Sequence, residues 1–408
     1  MTVHVSEKAK VLMGQSPPSA SCSENGGGLP FIQGNAEFGT RNPAPRLRCS
    51  IPTRVAEAGD LLVSVRAPVG GLNQAKEQTV IGRGLSALRF DNDDQSFAWH
   101  ALTFAAADLN RVAQGSTFVA VSRDDVERLV IPWHGELNSR IATVLDTVDG
   151  AIAKAGLMLL KLRQMREGLV HDLMTRGLDE NGEVRDPVRH PEQFQDSPLG
   201  RIPKEWNVEP LHSFIASAEY GISTALSSQG SLPVLRMNNL AGGEASLNDL
   251  KFATSHVPKS LLLRYGDVLF NRTNSYEHVG RTGIWRGQLP VATFASYLVR
   301  LNPVLSRLTT EFLNLVLNTP ESQQRMRRYA TPAVQQVNIN PTQLQLMHIA
   351  APKLTAEQDR IVNVTNESVR TIVTETEELA KLMALKCGVM NDLLIGRVRV
   401  PESIGVSA

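Results

Sequence analysis

Four arginines, Arg41, Arg46, Arg48 and Arg54, fall within 14 residues that hold no Asp or Glu. Pro43, Pro45 and Pro52 interrupt the stretch, so no regular helix can bury the four guanidinium groups and an exposed basic loop is expected. Arg325, Arg327 and Arg328 form a second concentration, in a segment from 322 to 356 without an acid, followed by Gln335, Gln336 and Asn338. Guanidinium donors match phosphate oxygens and guanine O6 and N7, and amides match the adenine edge, so this mixture suits the major groove of a nucleic acid. A third run, Asn271 to His278, is polar throughout and adds Arg272, Asn274, Tyr276 and His278 as candidate contacts. Its counterpart earlier in the chain, Ser64 to Pro68, adds Arg66. Each cluster also has a plainer reading as solvated surface.

Chemistry beyond binding finds no support in the motifs. No Gly-Lys dipeptide exists, which excludes a P-loop. Asn42-Pro43-Ala44-Pro45 and Asn340-Pro341-Thr342 lack the aromatic residue that an adenine methyltransferase places after its Asn-Pro-Pro, and read as Asn-Pro turns. The nine His and the three cysteines, Cys22, Cys49 and Cys387, show no shared ligand spacing, so no metal, cofactor or catalytic residue is assigned. Trp206 is expected as a core anchor, and Gly59-Asp60 and Gly266-Asp267 as turns that lead into strands.

The elements that position the basic clusters follow from an internal repeat. Val170-His171-Asp172-Leu173-Met174 matches Met390-Asn391-Asp392-Leu393-Leu394 at an offset of 220, which runs back without a gap to Pro132 and Pro352. Upstream the order persists while the spacing drifts, with Leu29-Pro30 against Leu232-Pro233, Gly59-Asp60 against Gly266-Asp267, and Arg111 against Arg328. Each copy opens with short β-type runs (61–65, 117–121, 268–270), turn residues and one helical stretch (97–113, 310–328). Each closes on a long proline-free segment with apolar residues three and four apart. The first seam holds Ile141, Leu145, Val148, Ile152, Ala155, Leu159, Leu162, Leu169 and Leu173, broken at Arg166. The second holds Ile361, Val364, Ile372, Leu379, Leu382, Leu385, Val389 and Leu393, weakened by Thr365, Ser368 and Glu375. Forty residues of helix extend about 60 Å, and two such helices bury their seams most simply against each other, antiparallel because a whole domain lies between them.

The resulting division is a first domain at 1–132, a helix at 133–178, a linker at 179–203, a second domain at 204–352, a helix at 353–397 and a tail at 398–408. The linker segment carries 6 acidic and 3 basic residues and four prolines, with little apolar periodicity, and reads as surface. At 408 residues and net charge +1 there is no global basic field, but Lys and Arg exceed Asp and Glu by 13 to 9 over 204–352. No apolar run approaches the 18 residues of a membrane span, and MTVHVSEKAK has no secretory pattern, so a cytoplasmic protein with no membrane partner is expected.

The segment Leu-Gly-Arg-Ile-Pro-Lys-Glu-Trp (199–206), the paired Gly-Asp turns, the run Ala-Pro-Lys-Leu-Thr-Ala-Glu-Gln (351–358) and the repeat ends Asp-Leu-Met-Thr-Arg-Gly (172–177) and Asp-Leu-Leu-Ile-Gly-Arg (392–397) stand together in this chain. With the repeat, they resemble the specificity subunit of type I restriction–modification systems over nearly the whole length. The first copy departs from the pattern: it lacks a counterpart of 199–206, starting instead at Val3 to Met13, and carries Pro132-Trp133-His134 where Pro and a Glu-Gln pair are usual. The resemblance implies an α+β fold with two similar target-recognition domains joined by two long antiparallel coiled-coil helices. It implies a non-catalytic partner for double-stranded DNA, for two modification (methyltransferase) subunits and for restriction/motor subunits, with docking on helices marked by Leu159, Leu162, Leu169, Leu173, Leu379, Leu382 and Leu393. Half-sites one helical turn apart would then face one side of the duplex. The alternative is a structural adaptor with two protein-binding heads on a coiled coil.

Overall fold

In the computed structural model, which describes residues 1–91, 94–114, 120–333 and 336–401, the chain divides into two compact units. Unit 1 is Met1–Met158 with Glu375–Ala408, and unit 2 is Leu159–Thr374. Each is α+β and each is built around one strand that follows a Gly-Asp turn.

In unit 1 the strand Leu61–Ser64 pairs antiparallel with Leu85–Phe90 and with Leu72–Gln74. Its side chains alternate between two cores, as a period of two requires. Leu61 and Val63 join Phe97, Ala101 and Leu102 of helix α1 (Gln95–Gln114), while Leu62 joins Ile32, Ile81 and Leu85. The short helix α2 (Arg123–Glu127) starts at a capping box, with the Ser122 hydroxyl accepting from the Asp125 N–H at 3.2 Å and the Asp125 carboxylate accepting from the Ser122 N–H at 2.9 Å. The long helix α3 (Asn138–Arg176) follows. Of the β-type run at 117–121, residues 117–119 lie outside the described residues, and Ala120 bridges Arg66.

Unit 2 repeats the scheme. The strand Val268–Asn271 pairs with Leu298–Pro303 and Thr282–Ile284, sending Val268 and Phe270 to one core and Leu269 to another. The single helical stretch expected over 310–328 is two helices, α4 (Thr310–Leu317) and α5 (Pro320–Arg327). Pro320 has no N–H to continue α4, and Thr319 caps the new helix by accepting from the Ser322 N–H at 3.3 Å. The one-turn α6 (Pro341–Leu344) and the long α7 (Thr355–Ile395) complete the unit.

The opening strand that the first copy lacks in sequence is present in backbone. Thr2–His4 pairs antiparallel with Val130–Pro132, as Trp206–Pro210 pairs with His348–Pro352. Ladder hydrogen bonds need no particular side chains, so the pairing survives without the motif.

The two long helices run antiparallel within both units. In unit 1, Ile141, Ala142 and Leu145 near the start of α3 share a core with Val389, Met390, Leu393 and Leu394 near the end of α7. In unit 2, Leu169, Leu173 and Met174 near the end of α3 share a core with Ile361, Val362 and Val364 near the start of α7. Leu385 leaves the expected seam and is 53% exposed. The inward position four residues after Leu382 is Lys386, whose ammonium pairs with Asp149 of α3 at 2.6 Å.

Residues 179–203, expected as a surface linker, are folded. Phe194–Ser197 and Gly200–Pro203 form an antiparallel pair, Leu178 bridges Val184, and Phe194 and Ile202 are buried. Arg185, read as one of a few linker charges, is buried against α7. Its Nη1 and Nη2 donate to Glu357 at 2.6 and 3.3 Å, and the same carboxylate accepts from Trp206 Nε1 at 3.0 Å and from the Leu178 N–H at 3.1 Å. Trp206 is 1% exposed, the core anchor expected of it. The neighbouring Gln358 accepts from the Thr309 N–H at 2.9 Å and donates to the carbonyls of Arg307 and Pro352 at 2.8 and 2.9 Å. The Glu-Gln pair of the 351–358 motif is thus an internal staple where strand becomes helix.

Candidate nucleic-acid interface

The candidate contacts of unit 1 separate into two groups. Arg46 and Arg54 are exposed and have no side-chain partner among the described residues, and Arg48 is exposed on the strand Leu47–Cys49 with its Nε donating to the Gly28 carbonyl at 3.0 Å. Arg66 is exposed beside its backbone bridge to Ala120. Arg41 does not belong with them. Its guanidinium lies 4.5 Å from the Trp99 ring centre, its Nη1 is 3.6 Å from Asp146 of α3, and its Nε donates to Gln74 at 3.3 Å. The aromatic face and the carboxylate draw this arginine out of the expected loop.

Around Asp146 the same region gathers His100, Asp146 and Asp149, whose ligand atoms lie within 4.8 Å of one another. Their charge is met by the chain itself. His100 Nε2 is 3.0 Å from Asp146, the Ser96 hydroxyl donates to it, Arg41 is nearby and Lys386 holds Asp149. Burial works to raise the Asp146 carboxyl, but the hydrogen bonds to His100 and Ser96 and the charge of Arg41 bring it below the ordinary range.

In unit 2 the Gly-Asp turns behave as read from the sequence: Asp267 accepts from the Arg264 N–H at 2.9 Å and from Arg300 Nη1 at 2.8 Å, as Asp60 does from the Glu57 N–H at 2.8 Å and from Arg89 at 2.7 and 2.8 Å. Downstream of that turn the strand carries the candidates outward. Arg272 sits 5.3 Å from the Tyr220 ring centre and Arg327 sits 5.6 Å from that of Tyr276. Among the described residues no carboxylate pairs with either, and the Nε of each is buried without a hydrogen-bond partner. Asn274 is half-buried, with Oδ1 accepting from the Ser275 N–H at 2.8 Å, while Tyr276 and His278 are exposed in the following turn.

Arg325 and Arg327 were expected to act together, but residues two apart on a helix point about 200° apart. Arg325 faces His171, Met174, Leu199 and Arg201 instead, donates to the Ser322 hydroxyl at 3.0 Å, and has its pKa lowered by burial. Arg328 is exposed at the end of α5. Gln336 is half-buried on the strand Gln336–Ile339, and Gln335 lies outside the described residues.

Of the helix leucines, Leu159, Leu173 and Leu393 are buried inside the chain's own fold, and Leu162, Leu169, Leu379 and Leu382 are half-buried. Leu169 and Leu173 share the unit 2 core with the start of α7, and Leu393 shares the unit 1 core with the start of α3. The large apolar residues that α3 and α7 leave to solvent are others: Leu157, Met158, Leu160 and Met165 on the first, and Val369, Val373, Met383, Leu385 and Ile395 on the second.

Sequence reasoning missed Tyr220, which carries Arg272. A signal was available, because all five tyrosines of the chain lie between 220 and 329, in unit 2, and four of them are exposed. Flat rings beside arginines are a recurrent means of holding bases or cations.

No protein-family model matches the chain. Over 146 residues, 35% of this chain, it is 38% identical to a protein of Methanocaldococcus jannaschii named "Putative type I restriction enzyme MjaX specificity subunit". The match spans about a third of that relative's length, 34%. In fold it is similar to the crystal structure of a type I restriction–modification S subunit from M. genitalium, at a TM-score of 0.57 and 14% identity, covering 96% of this chain and 95% of that one. It is also similar to a solved chain from work on complex assembly and conformational transition of the type I R-M system, at a TM-score of 0.59 and 17% identity, covering 97% of both. The resemblance seen in the sequence is thus met in sequence over a third of the chain and in fold over nearly all of it.

Proposed function

We propose that this chain is the DNA-reading specificity subunit of a type I restriction–modification complex. Its two α+β units each read one half of a split target. Its helices α3 and α7 set the two readers in order and carry two modification subunits, which supply the methyl transfer, and the restriction/motor subunits. The chain itself supplies sequence choice and no chemistry, and works in the cytoplasm, where the DNA is. No helix among the described residues is long and apolar enough to cross a membrane.

The observation that carries this reading is the pair of half-buried arginines in unit 2, Arg272 on Tyr220 and Arg327 on Tyr276, without carboxylate partners among the described residues. A guanidinium already paired to an acid contributes little to an outside anion. One held by a ring keeps its donors for phosphate or base edges. The likeness to the M. jannaschii protein points the same way, as do the exposed Arg46, Arg48, Arg54 and Arg66 of unit 1.

Titrating duplex DNA against the chain with its modification subunits, at salt between about 50 and 200 mM, tests the reading. Neutralising some six to ten phosphates makes affinity fall by about 10³ to 10⁵ over that range. A salt-insensitive or absent interaction overturns it in favour of the adaptor with two protein-binding heads.

A further inference from the structure

Asn274 lies on the short strand Thr273–Asn274, and Arg272 directly precedes that strand in the link from Val268–Asn271. Thr273 between them is buried, its hydroxyl donating to Asn338 Oδ1 at 2.5 Å. The backbone around the pair is fixed. The Arg272 N–H donates to the Tyr297 carbonyl at 3.0 Å, its carbonyl accepts from the Ile339 N–H at 2.8 Å, and Asn274 pairs with Val337 across the ladder.

What the two side chains still offer follows from what is already used. The Arg272 Nε is buried with no acceptor, leaving the two Nη groups, which hold hydrogens only for donation. The Asn274 Oδ1 accepts from the Ser275 N–H, and its NH₂ has no partner among the described residues. Arg272 therefore presents donors and no acceptor. In the major groove guanine alone shows two adjacent acceptors, O6 and N7. Adenine pairs an acceptor with a donor, cytosine shows a donor, and thymine one acceptor beside a methyl group.

We propose that Arg272 is the specificity-determining residue of unit 2, reading a guanine through its Nη groups while Tyr220 holds the guanidinium in place, with Asn274 donating to an acceptor on the adjacent base pair. The inference rests on the DNA-reading role proposed above. A phosphate contact would tolerate lysine at 272, whereas two-point reading of guanine would not, because an ammonium lacks the planar fork.

The test selects bound duplexes from a randomised pool, using the full chain assembled with its modification subunits, for the parent, Arg272→Lys, Arg272→Ala and Asn274→Asp. The parent should select a guanine that Arg272→Lys no longer prefers, with discrimination at that position falling about tenfold or more while the other half-site stays sharp. Replacing that guanine by 7-deazaguanine should weaken the parent about tenfold and leave Arg272→Lys unchanged. Asn274→Asp should move the adjacent position toward cytosine, whose amino group donates. The retained half-site shows that the variants fold. A consensus that stays equally sharp in Arg272→Lys overturns this inference and leaves DNA reading intact. A parent that selects no sequence at all overturns the reading on which it rests.

Discussion

The two units repeat one plan yet place the charged groups of their long helices at different depths. In unit 2 the charge lies where strand turns into helix, with Glu357 binding Arg185, Trp206 and the Leu178 N–H. The residue 220 positions earlier is Leu137, and unit 1 has no acid there. Its charge sits two turns further into α3, where Asp146 gathers His100, Ser96 and Arg41, and Asp149 holds Lys386. Under the same offset Asp146 becomes Asn366, Asp149 becomes Val369 and Lys386 becomes Arg166. Each unit thus keeps an apolar seam and satisfies the charges on its long helix, at positions that the repeat does not share.

The largest effect expected of breaking this contrast comes from Glu357→Ala, which leaves the buried Arg185 only the exposed carboxylate of Glu205, 3.2 Å from its Nη2, and should cost unit 2 up to about 3–5 kcal/mol. Hydrogen exchange resolved by segment would show faster opening across 204–374 and little change in 1–132. Equal loss in both units would mean that the anchor is not local.

Asp146→Asn should be milder, about 1–3 kcal/mol, confined to unit 1, because Ser96 and His100 keep a neutral partner. It should also change the acid limb of the stability profile. The folded carboxyl is lowered, so its contribution is complete above about pH 4, the ordinary unfolded value, and is lost as pH falls through the lower folded value. The variant should therefore lose least, relative to the parent, at the lowest pH. A difference that grows on acidification would contradict the assignment.

Smallest is the removal of the second ion pair from unit 1, Asp149→Val with Lys386→Leu. The pair is about a quarter exposed, with side chains at 22% and 24%, so urea unfolding should move by about 1 kcal/mol or less in either direction. A loss above about 3 kcal/mol would show that the pair sets the helix register.

The legible part of this protein was its periodicity. An offset of 220 and a three-four spacing are properties of the chain as a line, and they yielded two α+β units and paired helices. What failed depended on contacts distant in sequence. Arg41 looked like loop because Trp99 and Asp146 are 58 and 105 positions away. Residues 179–203 looked like linker because their apolar anchors, Phe194 and Ile202, are few and their main tie is an ion pair to position 357. Among site candidates the directions of the side chains were not legible: Arg325 and Arg327 share a helix and face different neighbours. The cysteines read as scattered, yet Cys22 and Cys49 stand directly opposite each other on adjacent strands.

Unit 1 takes its polypeptide from two stretches, one before residue 159 and one after 374, while unit 2 is continuous. On the ribosome, the inner unit can assemble as soon as it emerges, but the outer one must wait for the closing stretch of α7 to deliver Val389, Leu393 and Leu394 to Ile141 and Leu145. Until then the first translated residues hold an uncovered apolar strip, and translation halted near residue 374 would release a finished second head tethered to an unfinished first.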